Sequence, residues 1–325
     1  MSLSLAEAKV GMKDHVDQQV IDEFRRSSLL MDMLVFDNAV SPGTGGSTMT
    51  YGYIQLKTPS QAAKREINGE YVAGEAKRQE KTAKIAIMGG SFQVDRVLAG
   101  TSGAVDEMAF QMKQKIQATA NLFSNAVING RTGSEGFDGL KQLLNEASTK
   151  VTSKVDVSTS ELLDKNYNAL LDEIDEFLTT LDGKPSALLM NDKMLSRLRS
   201  AARRAGYYSR QEDAFGRPVE MYNGIPLIDA GKFYNGSVTK DVIETTDNSE
   251  ATGKTDIYAV CIGLDGFHGI SPTGNKIIQQ FLPDMSQPGA VKKGEVELLA
   301  GVVLKNTKKA GVLTGIAITP SQEVA

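Results

Sequence analysis

The chain has 325 residues, 41% hydrophobic and 23% charged, an ordinary balance for a globular protein able to bury a core. The absence of tryptophan, an aromatic content of 6% and a net charge of −4 exclude a stacking platform for bases or sugars and a globally basic nucleic-acid binder. One cysteine, Cys261, and two histidines, His15 and His268, exclude an intrachain disulfide and a histidine-based metal cluster, so the expectation is no metal, no cofactor and a reducing compartment.

Residues 1–10 carry neither the basic stretch nor the apolar core of a signal peptide, and no apolar run approaches a membrane span, so no membrane partner is expected. From Leu5 to Phe36 the pattern is helical, with Val16, Val20, Ile21, Phe24, Leu29, Leu30, Met33 and Leu34 on apolar faces. Residues 40–47, with Pro42 and several glycines, form a joint. Thr48 to Thr58 reads as a strand carrying Met49, Tyr51, Tyr53, Ile54 and Leu56, and its partner is placed at Thr82 to Met88. Between them, residues 60–81 hold Lys64, Arg65, Glu66, Glu70, Glu75, Lys77, Arg78, Glu80 and Lys81 but only scattered apolar side chains, so they cannot fill a core. They read as a projecting hairpin arm that orders against a partner, with a disordered loop as the alternative. Gly89-Gly90 is expected to break the return strand, with residues 91–98 extended beyond it.

Ala104 to Asn129 is the longest periodic segment: Val105, Met108, Ala109, Met112, Ile116, Ala120, Phe123 and Val127 draw one stripe at steps of three and four. A helix of that extent spans roughly 39 Å. Asp106 and Glu107 suit its first turn, and Asn129-Gly130 predicts a left-handed glycine cap at its end. Gly130, Gly133, Gly136 and Gly139 then make a tight loop before a short helix anchored by Phe137, Leu140, Leu143 and Leu144, and Val151 to Val157 alternates as a strand.

A second domain is expected from Ser158. Ser160 is read as the cap of a helix with Leu163, Tyr167, Leu170, Leu171, Ile174, Phe177, Leu178 and Leu181 on one face, closed by Asp182-Gly183. Ala187 to Met190 is a buried strand; Asn191 or Asp192 caps a basic helix carrying Lys193, Arg197, Arg199, Arg203 and Arg204. Asn223-Gly224 marks a hairpin, and Asp256 to Ile262 is another buried strand. Val296 to Leu304 and Val312 to Ile318 are expected to return to the first domain's sheet.

None of the motifs composes a catalytic set. Gly43 to Thr48 precedes a strand and lacks the lysine of a phosphate-binding loop, so it reads as a hinge, and the glycine loop after the long helix reads as loop geometry. His268 reads as a turn histidine without an assignable nucleophile, and Cys261 as a small core hydrophobe. Asp172, Glu173, Asp175 and Glu176 line a solvated helix face. The basic helix is solvated, paired with a neighbouring subunit, or in contact with phosphate, Lys193, Arg197, Arg203 and Arg204 being the candidate contacts.

The order of these elements resembles the major capsid protein of tailed bacteriophages, the Hong Kong 97 fold. The residues that carry the likeness are the long helix ending in Asn129-Gly130, the sequel Gly136, Phe137, Asp138, Gly139 and Leu140, the run from Leu188 to Met194, and the run from Tyr222 to Ile228. The resemblance implies an α+β subunit that makes hexamers and pentamers of an icosahedral head. Residues 1–47 would be an N-terminal arm, 48–98 an extended hairpin or E-loop, 99–157 a peripheral domain with its spine helix at 104–129, 158–270 an α/β axial domain, and 271–325 return strands and tail. The arm's interface residues would be Lys64, Arg65, Glu66, Glu70, Lys77, Arg78, Glu80 and Lys81. It further implies a structural protein rather than an enzyme, assembled in a bacterial cytoplasm and residing in the virion, with itself, a separate scaffolding protein, a portal and non-specifically held DNA as partners. An encapsulin-like cargo shell and a cytosolic α/β enzyme are the alternatives.

Overall fold

The computed structural model describes residues 30–38, 49–71, 74–97, 107–134, 136–206, 209–212, 218–246, 253–272, 277–284 and 286–320. Most of the expected N-terminal helix, the joint at 40–47, the hinge motif at 43–48 and the first turn of the long helix lie outside these residues. The chain enters through a single helical turn, α1 (Leu30–Met33), and a short strand, β1 (Phe36–Asn38), where continued helix was expected to Phe36. The reason is long-range: β1 pairs in parallel with β13 (Phe267–Ser271), an interaction with no local signature.

Two sheets organise the fold. The five-stranded sheet is built on β15 (Val291–Leu304), which pairs antiparallel with β4 (Ala86–Asp95) from Val291↔Asp95 to Ala300↔Ala86, with β14 (Ile278–Phe281), and with β13, which carries β1. Gly89 and Gly90 do not break β4; they lie inside it. A Cβ on Gly89 would stand 2.1 Å from the Val296 carbonyl oxygen, so glycine here permits a close strand approach rather than a turn.

The long helix, α2 (Glu107–Asn129), lies on one face of this sheet. Met108, Met112 and Ile116 pack there with Phe92, Val94, Val296 and Ile278. Its last turns sink deeper: Phe123, Ala126, Val127 and Ile128 are almost wholly buried, whereas Ala109, expected on the apolar stripe, is exposed. Gly130 does not take the expected left-handed conformation. A Cβ there would meet the Ala126 oxygen at 2.3 Å, and one on Gly139 the same oxygen at 2.6 Å. These glycines let the loop before α3 (Leu140–Leu143) fold back on the helix end, which Gly139 N–H donating to the Gly130 carbonyl fastens.

The seven-stranded sheet runs β5 (Lys150–Thr152), β16 (Ala310–Thr319), β12 (Gly253–Val260), β6 (Ala187–Met190), β9 (Ile225–Asp229), β8 (Pro218–Tyr222), β7 (Ser209–Glu212). So β16 does not return to the first sheet as expected; it crosses to the second while β15 completes the first. The Asn223-Gly224 turn joins β8 to β9 with both residues at positive φ, the mirror-image turn that suits strand twist. One face of this sheet carries α4 (Ser160–Thr179) and α5 (Asp192–Ala205) over Leu188, Met190, Ile257, Leu313 and Ile316. The cap of α4 is Thr159, whose hydroxyl accepts from Leu162 N–H, not Ser160. Asn191 caps α5, and its amide donates to the Ile243 carbonyl and to Thr245 and Thr255.

The buried end of α2, with Phe137 and Leu140, shares a single cluster with Leu189, Ile228, Tyr258, Val260 and Val312 of the second sheet. Asn129 reinforces that joint by donating to the Val242 carbonyl, next to the small hairpin of β10 (Lys232–Tyr234) and β11 (Thr239–Asp241). The two sheets and the long helix form one packed body. The hairpin of β2 (Thr50–Thr58) and β3 (Lys77–Lys84) stands apart, because its strands pair only with each other.

Candidate assembly surfaces

The hairpin register runs from Thr50↔Lys84 to Thr58↔Lys77, four to five residues earlier on the return side than the sequence suggested; Ile85 separates β3 from β4. Alternation along β2 divides its side chains. Tyr51, Tyr53 and Gln55 turn toward the body, whereas Ile54 and Leu56 are 70% and 57% exposed. Beyond Thr58, Lys64, Arg65, Glu66, Glu70, Lys77, Arg78, Glu80 and Lys81 are all exposed with respect to the described residues. The tip is nevertheless shaped. Gly69 N–H donates to the Glu66 carbonyl, Asn68 takes positive φ, and Arg65 donates to the Gly69 carbonyl while lying over the Tyr71 ring at 5.4 Å. Ile67, 92% exposed, stands on this turn as an unburied apolar knob.

The root of the hairpin is held differently. Tyr51, Tyr53, Ala83 and Ile85 pack on Ile270, Val303 and Leu299 of the five-stranded sheet. Gly301 gives the room: a Cβ there would meet the Lys84 carbonyl oxygen at 2.5 Å. Tyr51 donates to the Asp37 carboxylate at 2.7 Å and Gln55 to the Lys305 carbonyl at 2.9 Å. The Tyr51 hydrogen bond, ahead of the other influences on it, holds the Asp37 carboxyl below its ordinary value, while burial and the same bond push Tyr51 up to about 12. Lys305 lies over the Tyr51 ring at 5.2 Å. His268, read from sequence as a turn histidine, is instead a wholly buried residue of β13, edge-on to Tyr51 with ring centroids 6.1 Å apart.

On the second sheet the basic helix divides its cations. Arg197 donates to the Ser158 and Ile318 carbonyls, tying α5 to the chain entering α4 and to β16. Arg199 pairs with Glu220, and Arg204 with Asp164 of α4. Lys193 and Arg203 are exposed. Thus two of the four expected contacts, Arg197 and Arg204, bond within the chain. The α4 carboxylates divide likewise: Asp172 and Glu176 face solvent, while Asp175 accepts from Tyr222 and Asn223, and Glu173 accepts from Ser153 and from Lys154 N–H.

Among the described residues no group of three or more His, Cys, Asp or Glu side chains could hold a metal ion. A polar hollow of about 410 Å³ lies where β3 passes α3, lined by Lys81, Gln142, Asn145, Glu146 and Thr307. Cys261 is buried beside the Lys184 carbonyl, and burial pushes its thiol up, which suits a core residue and not a nucleophile. No helix among the described residues is long and apolar enough to cross a membrane.

No protein-family model and no curated protein matches the chain. Solved structures match it over 93–100% of its length. The holo-SrpI encapsulin complex from Synechococcus elongatus PCC 7942 aligns with a TM-score of 0.64 at 14% identity, covering 100% of each chain. The capsid of Myoviridae Phage XM1 aligns at 0.57 and 14% identity, covering 93% of this chain and 97% of that one. The capsid of a native GTA particle aligns at 0.55 and 13% identity, covering 97% and 100%.

Proposed function

We propose, from the Hong Kong 97 capsid fold that the chain has, that it is the repeating subunit of a closed protein shell: a major capsid protein forming hexamers and pentamers of an icosahedral phage head around double-stranded DNA. The single observation that carries this reading is the hairpin. Its sequence supplies too little apolar surface to fold over its own core, yet its strands are paired, its tip is shaped and it carries Ile54, Leu56 and Ile67 outward. Laid along an adjacent copy, that surface is buried once per subunit, and the gain is repeated around the shell. Lys64, Arg65, Glu66, Glu70, Lys77, Arg78, Glu80 and Lys81 then face a neighbour. The second sheet with α4 and α5 acts as the axial domain, Lys193 and Arg203 being left for a neighbouring subunit or packaged DNA. The subunit's role is structural, not catalytic, and its partners are its own copies, a separate scaffolding protein and a portal.

The TM-score of 0.64 to the encapsulin, against 0.57 for the phage capsid, supports a second reading, a compartment of the same architecture that holds protein cargo. Light scattering and negative-stain microscopy of the expressed chain, with and without co-expressed candidate scaffold, test both. Closed shells or rings of five and six are expected; DNA with a portal at one vertex selects the phage head, and protein cargo selects the compartment. A persistent monomer or dimer with scaffold present removes both.

A further inference from the structure

His268 is the one histidine among the described residues, and its burial is costly. It has no exposed surface, and neither Nδ1 nor Nε2 makes a well-formed hydrogen bond; the ring has only weak approaches to the backbone of Gly266 and Gly263. A buried imidazole normally satisfies at least one nitrogen, so a ring left without either marks a place where the fold bears a penalty. That place is the root of the hairpin. On the same sheet face, Ile270 and Val303 receive Tyr51, Tyr53 and Ile85, and the Tyr51 ring stands edge-on to His268.

The charged and titratable groups around the ring come from three separate elements. Asp37 extends from β1, Tyr51 from β2, and Lys305 follows β15, with its ammonium 4.0 Å from Asp37. Both oxygens of the nearby carboxylate are already engaged: Oδ2 accepts from Tyr51 at 2.7 Å and faces Lys305, and Oδ1 accepts from Asn38 N–H at 2.9 Å. Burial, followed by Lys305, moves His268 below the ordinary imidazole value; Asp37 and the backbone around Gly266 and Gly263 act in the opposite direction without prevailing.

We propose that His268 is an acid-operated latch for the hairpin: neutral, it lets Tyr51 and the root pack on the five-stranded sheet, and protonated, it undocks that root and frees the arm to swing. The hairpin is the element suited to such release, since among the described residues its strands pair with no other strand and its apolar packing on the body is at the root. The linkage has a definite sign. A histidine whose folded value lies below 6.5 binds its proton more readily in the open state, so the docked form has full stability above pH 6.5. That stability falls as the pH drops from there to the folded value. Asp37, also lowered, gives way only below its own ordinary value of 3.8, so the first acid step belongs to His268.

The test follows the full-length protein, held in one assembly state, by hydrogen exchange of the amides of residues 50–58 and 77–85 from pH 7.5 to pH 5. Variants are compared at the same pH so that intrinsic exchange cancels. Root opening in the wild type is expected to rise as the pH falls below 6.5, by at most about tenfold per pH unit, and to level off at the folded value, while His268→Phe, which keeps an aromatic ring, stays flat. Asp37→Asn is expected to raise opening at neutral pH and keep the acid response. An NMR titration of the imidazoles should place His268 below 6.5. A titration at or above 6.5, or acid opening of equal size in wild type and His268→Phe, overturns the latch. Should the phenylalanine variant already be open at neutral pH, His268→Gln takes its place: an unchanged acid response there overturns the latch equally. None of these outcomes depends on whether the chain builds a phage head or a cargo compartment.

Discussion

From Lys64 to Lys81 the hairpin's charged side chains all face outward, whereas on α5 the cations of Arg197, Arg199 and Arg204 turn back to carbonyls and carboxylates of the same chain. The two segments look alike as strings of charge. What separates them is the supply of acceptors: α5 lies beside Ser158, Ile318, Glu220 and Asp164, while the arm passes beyond its own body. Charge that finds a partner at home stabilises the subunit, and charge that does not is left for a neighbour.

The strongest way to break this contrast is to remove the arm. Deleting Glu66 to Gln79 is expected to leave a soluble subunit with an unchanged melting midpoint and to abolish stable shells, read by calorimetry and light scattering; normal shells would refute the arm's role. Arg197→Ala should show the opposite, leaving the Ser158 and Ile318 carbonyls without their cation and costing about 2–3 kcal/mol in urea unfolding. Arg199→Ala removes one partner of the mostly buried Glu220 and should cost about 1–2 kcal/mol in the same assay. The smallest effect on stability is expected from Lys193→Ala with Arg203→Ala, within about 0.5 kcal/mol, while the yield or DNA content of assembled particles falls. A large stability loss from that pair, with assembly unaltered, would place these cations with Arg197 and not with the arm.

Local chemistry made much of this fold readable. The three-and-four spacing located α2, Asn191 its capped helix, Asn223-Gly224 its hairpin, and the shortage of apolar residues after Thr58 the projecting arm. Pairing between distant segments was not readable. Nothing near Phe36 announces a parallel strand on β13, and nothing near Val312 tells it from Val296 as a member of a different sheet; the β10–β11 hairpin, by contrast, is local, and Asn235-Gly236 in its turn is its sequence signal. Gly89 and Gly130 mislead for one reason: a glycine needed because another backbone atom comes close reads the same as one needed for a turn. The surface was legible in composition but not in allegiance, since Arg197 and Arg203 are indistinguishable until Ser158 and Ile318 are in place. His268 carried a signal, an isolated histidine in an apolar stretch, yet its burial depends on Tyr51 from a remote strand.

The crossing of β15 and β16 into different sheets has a consequence for synthesis. Ala86 waits for Ala300, and Lys150 for Val312, so neither sheet closes until the ribosome has delivered residues 291–319. High contact order of this kind slows folding and keeps apolar strand faces open in the nascent chain. The long helix and the capped α4 and α5 can form early, but the surfaces they must cover stay incomplete until residues 291–319 have been made. Folding is thereby coupled to the delivery of β15 and β16, and a subunit interrupted within β15 would leave the polysome with both cores unsealed, as a target for chaperones and proteases and not as a building block.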